Sequence, residues 1–225
     1  MGDAPNPPAR MGVLRIALIC VGSVLLLLPM VRVGVTYVNM GRSPRYAEAR
    51  SNLKTIHTYQ KAFDYKLDRY ARRIHELDLE LERGNRYAYF LLPSGPTELR
   101  DGAVETRNEE AVILWADRSK HPGAPGPTDA AGTGCPVTPG KDLAGNPVGV
   151  GVWGTRPNEV FIALAAGNLD DDPMLDCWTI ASMPRVDANG DLIPEGTPHR
   201  EQDDTSLTRW QRIRVALLGP LSVRQ

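Results

Sequence analysis

Charge of one sign is what this sequence has least of. Its 26 Lys and Arg against 27 Asp and Glu leave a formal net charge of -1 over 225 residues. No broad cationic field exists to collect phosphates, which argues against nucleic acid as a partner. Cysteine is scarce as well, with residues only at 20, 135 and 177, and no Cys/His cluster has zinc spacing. No GxSxG or HExxH segment occurs, so two common hydrolase signatures are missing. Gly134 to Asp142 (GCPVTPGKD) superficially resembles a phosphate loop. It carries one residue too many between its glycines, and Asp142 stands where a magnesium-binding Ser or Thr belongs. His57 and His75 would lie about 27 Å apart on one helix at about 1.5 Å per residue, too far to share a metal. These absences argue against an enzyme.

Long apolar runs are also few, and the one present is informative. Between Arg15 and Arg32 there are sixteen residues without a charge, Ile16 to Val31. A spanning helix wants about 20 predominantly apolar residues. With Val33 and Val35 extending the run and the arginines snorkelling, residues 16–35 are expected to form a single-pass membrane anchor behind a short tail, 1–15. A cleaved signal peptide is the alternative, but Pro-Met-Val-Arg follows Leu28 where a small-residue cleavage site would be needed. Arg10 and Arg15 precede the run while Arg32, Arg42, Arg45 and Arg50 come after it, so a simple positive-inside count opposes export of the C-terminal part of the chain. The cysteines point the other way. With Cys20 inside the apolar run, Cys135 and Cys177 are the pair left in the soluble part, and they fit one disulfide in an oxidising compartment.

Beyond the anchor, Ser43 and Pro44 read as an N-cap and a first helical residue. Ala49, Leu53, Ile56, Phe63, Leu67 and Tyr70 then step by threes and fours, with Gln60 the one polar member, so a core-facing stripe containing Leu53, Ile56, Phe63 and Leu67 is expected. The spacing can be pushed through Ile74, Leu77 and Leu81 as a heptad repeat. However, Leu77, Leu79 and Leu81 also alternate with Asp78 and Glu80, and the helix is expected to end between Tyr70 and Leu77. Strand patterns come next at Arg86 to Leu92, Ala111 to Ala116, Val148 to Trp153, Glu159 to Ala165 and Cys177 to Ala181. The 19 Pro and 21 Gly gather in 119–158 and 183–200, so long loops should separate short strands. The expectation is an α+β domain over 44–182, with the amphipathic helix packed on a small antiparallel meander. A long loop occupies 117–147, and 183–225 forms a Pro/Asp-rich loop and C-terminal tail.

The order and wording of these segments resemble the type IV pilin and type II secretion pseudopilin superfamily. The matching text is Pro29 near the end of the apolar run, EARSNLKTIHTYQKAFDYKLDRYA (Glu48 to Ala71), GNRYAYFLL (Gly84 to Leu92) and FIALAAGNLDDDPMLDCWTIAS (Phe161 to Ser182). The resemblance implies a membrane helix continuing into the helix of a pilin-like α+β domain. One departure stands out. Family members usually carry a glycine followed by Phe-Thr-Leu-Ile-Glu at the prepilin peptidase site, whereas Gly12 here precedes Val13-Leu14-Arg15-Ile16-Ala17, with Ala17 in place of the glutamate.

Asp170, Asp172 and Asp176 in one acidic turn, and Asp187, Asn189 and Asp191 in DANGD, are calcium candidates. Hard cations take several carboxylate and carbonyl oxygens, and related pseudopilins can hold calcium in a loop of the sheet. The ordinary alternative is that Asp and Asn favour turns. The expected function is a membrane-anchored minor pilin or pseudopilin-like subunit, structural or accessory, of a type IV pilus or type II secretion-type assembly. Its partners would be other pilin or pseudopilin subunits, inner-membrane assembly proteins and membrane lipid. Its place would be the inner membrane, with the globular domain in the periplasm, or association with the pilus. A membrane-tethered coiled coil, dimerising through Ala49 to Leu81 and presenting a β ligand-binding or signalling module, is the alternative from another class.

Overall fold

The structure, a computed structural model, describes residues 46–101, 104, 105, 107–169 and 174–203. They belong to one compact unit of the chain, Arg45–Gln225. The anchor expected at 16–35 lies outside the described residues, as do the tail 1–15 and residues 204–225. No helix among the described residues is long and apolar enough to cross a membrane.

Helix α1 occupies residues 46–67. The strands after it are β1 (Tyr87–Phe90), β2 (Thr97–Asp101), β3 (Val104–Glu105), β4 (Ile113–Asp117), β5 (Gly140–Lys141), β6 (Pro147–Val148), β7 (Gly151–Trp153), β8 (Val160–Gly167), β9 (Asp176–Ala181), β10 (Arg185–Val186), β11 (Leu192–Ile193) and β12 (His199–Gln202). Eight of them form one sheet in the order β12-β9-β8-β1-β4-β2-β3, with β7 also on β8. The sheet is mixed rather than the antiparallel meander expected, because β2 runs parallel to β4 and β1 lies between β4 and β8.

Alternation along the central strands decides what covers each face. Tyr87, Tyr89 and Leu91 around β1, Phe161, Ala163 and Ala165 of β8, and Trp178 and Ile180 of β9 share one cluster with Ala49, Leu53 and Ile56 of α1. Burying each large apolar side chain of such a cluster contributes about 1.5–3 kcal/mol. Gln60, the polar member of the helix stripe, is buried and pairs both ways with the returning chain. Its Nε2 donates to the Ala71 carbonyl at 2.8 Å and its Oε1 accepts from the Ala71 amide at 2.8 Å. A buried polar group satisfied in this way fixes register at little cost.

The stripe stops earlier than its spacing suggests. Asp68 adopts φ 54°, a left-handed conformation that ends α1 at residue 67. Leu67 is 57% exposed and is not part of the core helix face; Phe63 is only half-buried, with the Arg69 guanidinium 4.8 Å from its ring centroid. Leu77, Leu79 and Leu81 keep the two-residue period instead and are buried in the same cluster as Leu53, so they are not the seam of a coiled coil. At the next turn, Gly84 takes φ 80°, where a side chain would be strained.

The opposite sheet face is also buried. Ala88, Phe90, Ile113, Trp115, Leu164 and Ala166 pack with Ala130, Cys135 and Val137 from the segment 117–147. That segment is therefore the second covering layer and has a short helical turn, Ala131–Thr133, and strand β5 paired with β6. Residues 185–202 are not loop and tail either: β10 and β11 form a hairpin and β12 pairs with β9 at the sheet edge. A disulfide between Cys135 and Cys177, Cα atoms 5.7 Å apart and 42 residues apart in sequence, ties the covering segment to β9.

Leu53→Ala is expected to cost about 2–5 kcal/mol in denaturant titration of the purified chain, whereas Leu67→Ala should stay within about 0.5 kcal/mol. Equal losses would contradict this packing. Reduction of the Cys135–Cys177 bond, compared with the oxidised chain in the same titration, should remove about 4 kcal/mol by loop entropy. Free thiols at both positions in nonreducing peptide maps would contradict the bond itself.

Candidate functional site

Two groups of buried polar side chains flank Tyr87. In the first turns of α1, the Glu48 Oε1 accepts from the Arg86 amide at 2.9 Å and from the Tyr87 amide and Tyr89 hydroxyl at 3.4 Å each, while Asn52 Nδ2 donates to the Tyr89 hydroxyl at 2.8 Å. Burial raises the Glu48 carboxyl above its ordinary value, against the pull of these donors. At the start of β9, Asp176 is fully buried and accepts from the Tyr87 hydroxyl and Trp178 Nε1, both at 2.6 Å, and from Arg200 Nε at 2.7 Å. Burial pushes its carboxyl up, opposed by Tyr87, Arg200 and Trp178. The Arg200 guanidinium also sits 4.1 Å from the Tyr46 ring centroid and 5.5 Å from that of Trp178. Arg200 thereby ties the C-terminal strand to both β9 and the first turn of α1.

A second ion pair lies deeper along β12. Arg185 and Glu201, with side chains 1% and 4% exposed, meet at 3.3 Å. Glu201 also accepts from the hydroxyls of Thr138 at 2.6 Å and Thr179 at 2.5 Å, and Arg185 donates to the Thr138 carbonyl at 2.9 Å. Sequence reasoning misses these residues because nothing in His-Arg-Glu-Gln marks a strand. The arrangement is structural in character: each carboxylate faces cations, hydroxyls or amides of its own fold.

The calcium candidates do not converge among the described residues. Asp176 is committed to Tyr87, Trp178 and Arg200. Asp187 and Asn189 belong to the β10–β11 turn, where Asp187 Oδ1 accepts from the Asn189 and Asp191 amides at 2.8 and 2.9 Å. The Asp191 amide leads in lowering the Asp187 carboxyl, which the Asn189 amide reinforces. Asp170 and Asp172 lie outside the described residues. Among the described residues, no group of three or more His, Cys, Asp or Glu could hold a metal ion. His57 lies 3.9 Å from Glu195, whereas His75 meets Glu98 at 2.6 Å.

Among the described residues, the outward face of α1 is exposed. On α1, Arg50, Lys54, Thr58, Ala62, Tyr65 and Lys66 are exposed, Tyr65 to 92%. The carboxylates of α1 are not on this face: Glu48 turns inward and Asp64 pairs with Arg156. Further along the chain, Asp78, Glu80 and Glu82 are exposed between the buried Leu77, Leu79 and Leu81, with the exposed Arg83 beside them, and Arg100 and Arg107 line the same cleft.

A helix laid by one face on a sheet, with a disulfide-held segment on the far side, is an α+β architecture of pilin type. Residues 41–176 match the family model described as type IV pilin PilA, and the chain belongs to that family. It is also similar to the type IV major pilin protein PilA of Myxococcus xanthus (strain DK1622), with 29% identity over 186 residues, covering 76% of this chain and 81% of that protein. The family match ends at the first residue of β9.

Acid stability should depend on Glu76, which accepts from the Arg72 and Arg73 amides at 2.9 and 3.2 Å and pairs with the guanidinium groups of Arg69 and Arg73. Partial burial raises its carboxyl, but these donors outweigh it and hold the group at about 2. A carboxyl lowered from 4.5 stabilises the fold above that value and loses its contribution as pH falls toward about 2. Glu76→Gln should therefore lower the denaturation midpoint near neutrality and flatten the acid limb in that window. An unchanged acid limb would contradict the assignment.

Proposed function

We propose that this chain is a membrane-anchored pilin subunit, with residues 16–35 as a single pass in the inner membrane and the α+β domain in the periplasm. It works by subunit contacts, as an accessory or minor component alongside other pilin subunits and inner-membrane assembly proteins. Membership of the type IV pilin PilA family carries the structural role and favours a pilus over a type II secretion-type assembly. The Cys135–Cys177 bond supports an oxidising compartment. Helix α1 ending at residue 67, with Leu77 to Leu81 turned into the domain core, speaks against the tethered coiled coil.

The accessory role rests on Ala17. A subunit processed at Gly12 would bring a new N-terminal amine into an apolar filament core, where an unpaired charge is costly. Ala17 stands at the position of the glutamate that would offset that amine. Similarity to a major pilin supports the competing role of principal filament subunit. N-terminal sequencing of the mature protein and quantification in sheared pili separate the two. The accessory reading expects residues 1–12 to be retained and the chain to stay mainly in the membrane fraction. A mature N-terminus at Val13, or abundance in sheared pili, would overturn it.

A further inference from the structure

The sequence after β12 has a character that the rest of the chain lacks. Residues 205–225 hold four arginines, at 209, 212, 214 and 224, and no Lys, Asp or Glu, in a chain whose formal net charge is -1. Within it, LTRWQRIRVALLGPLSV (207–223) interleaves that charge with tryptophan and with leucine, isoleucine and valine. Cations beside a tryptophan and aliphatic side chains suit the boundary of a bilayer, where guanidinium groups meet phosphates and apolar side chains leave water. The family match ends at residue 176, so this segment lies beyond it.

The fold fixes where the segment leaves the domain. Arg200 of β12 holds Asp176 and Asp203 through Nη2 at 2.6 and 2.7 Å, and its guanidinium lies 4.1 Å from the ring centroid of Tyr46 in the first turn of α1. The end of β12 is thus pinned to the end of α1 that is nearest in sequence to residues 16–35. Residues 36–45 link Tyr46 to residue 35 and reach at most about 40 Å, whereas residues 204–225 span up to about 70 Å. A segment starting there is long enough to return to the membrane. The same end of α1 is basic on its outer face: Arg50 and Lys54 are exposed, and the carboxylate of Glu48 is turned inward to the Arg86 amide.

We infer that residues 205–225 make a second membrane contact, in which Arg209, Arg212 and Arg214 bind the anionic headgroups of a phospholipid bilayer while Trp210 and its aliphatic neighbours enter the interface. The inference rests on the proposed anchor at 16–35 and adds to it a surface that lays the base of the domain on the lipid. A subunit tied down on both sides of its domain is held at the bilayer, in keeping with the accessory, membrane-retained role. Each arginine near an anionic surface strengthens such binding by about fivefold, and salt weakens it.

The test uses the full-length chain with Cys20→Ser and Ala216→Cys, labelled at 216 with an environment-sensitive maleimide dye and reconstituted into vesicles. The disulfide keeps Cys135 and Cys177 from reacting. One set of vesicles is phosphatidylcholine alone; the other has one part phosphatidylglycerol to two parts phosphatidylcholine. Carbonate extraction reports the anchor separately. In the anionic vesicles the dye should shift to the blue and be quenched by acyl-chain spin-labelled lipid, with both signals reduced severalfold in the neutral ones. Arg209→Gln, Arg212→Gln and Arg214→Gln together should weaken the contact by roughly a hundredfold and leave the unfolding midpoint unchanged. A dye exposed to water in both kinds of vesicle, on a chain that resists carbonate, would overturn the inference and leave the anchor standing. Equal quenching in both, or quenching indifferent to the three substitutions, would overturn recognition of anionic headgroups and the inference with it. A lowered unfolding midpoint in the triple variant would place the segment on the domain itself, against the inference. Quenching of a chain that carbonate extracts would uphold the lipid contact and remove the anchor.

Discussion

Strands β1, β4 and β8 bury apolar side chains on both faces, and that constraint determines the task of the rest of the chain. A sheet of this kind must be covered twice, yet the described part of the domain has a single amphipathic helix to offer. Helix α1 closes one face through Ala49, Leu53 and Ile56, and the other is left to an irregular segment rich in Pro and Gly. Such a segment has little hydrophobic periodicity to hold it in place. The Cys135–Cys177 bond supplies that hold where few side chains can, so the disulfide and the two-sided sheet are parts of one solution.

The same logic explains which parts of the fold are legible in the sequence. The five β-branched or aromatic runs correspond to β1, β4, β6 with β7, β8 and β9, because such side chains favour a pleated, half-buried or buried surface and so mark strands by composition. Strand β12 does not, since His199 to Gln202 holds its place by charge: Arg200 and Glu201 answer acids and bases that come from elsewhere in the chain. The spacing of Leu67 from Phe63 continues the stripe and so suggests a core position, but periodicity carries no information about where a left-handed residue such as Asp68 will stop the helix. The role of 117–147 as a covering layer is hidden for a related reason, since its contacts with the sheet obey no local period. The disulfide is readable because only two cysteines lie outside the apolar run. The calcium candidates rest on composition alone: Asp176 is partnered by Tyr87, Trp178 and Arg200, while Asp170 and Asp172 lie outside the described residues.

Buried charge is concentrated where the C-terminal strand meets the earlier strands of the sheet. Arg200 reaches Asp176, Trp178 and Tyr46, and Arg185 with Glu201 joins β10, β12 and the covering segment. Breaking one partner of such a pair leaves an uncompensated buried charge, which costs more than the intact pair contributes. The edge of the sheet is thus specified by polar geometry, while its centre is specified by apolar volume. Gly167 marks the tightest point of that centre: a Cβ there would stand 2.7 Å from the Tyr87 ring, so the strand pair admits no side chain at this position.

The register that sets Tyr87 opposite Gly167 also orders events in time. During synthesis from the N-terminus, β1 emerges long before its neighbour β8, and Cys135 long before Cys177. Long-range pairings of this kind are slow because loop closure must precede any gain from contact. Strand β1 meets β4 early, but it and the helix wait for β8 and β9 to complete their cluster. The core around α1 and β1 is therefore complete only once β8 and β9 are in place.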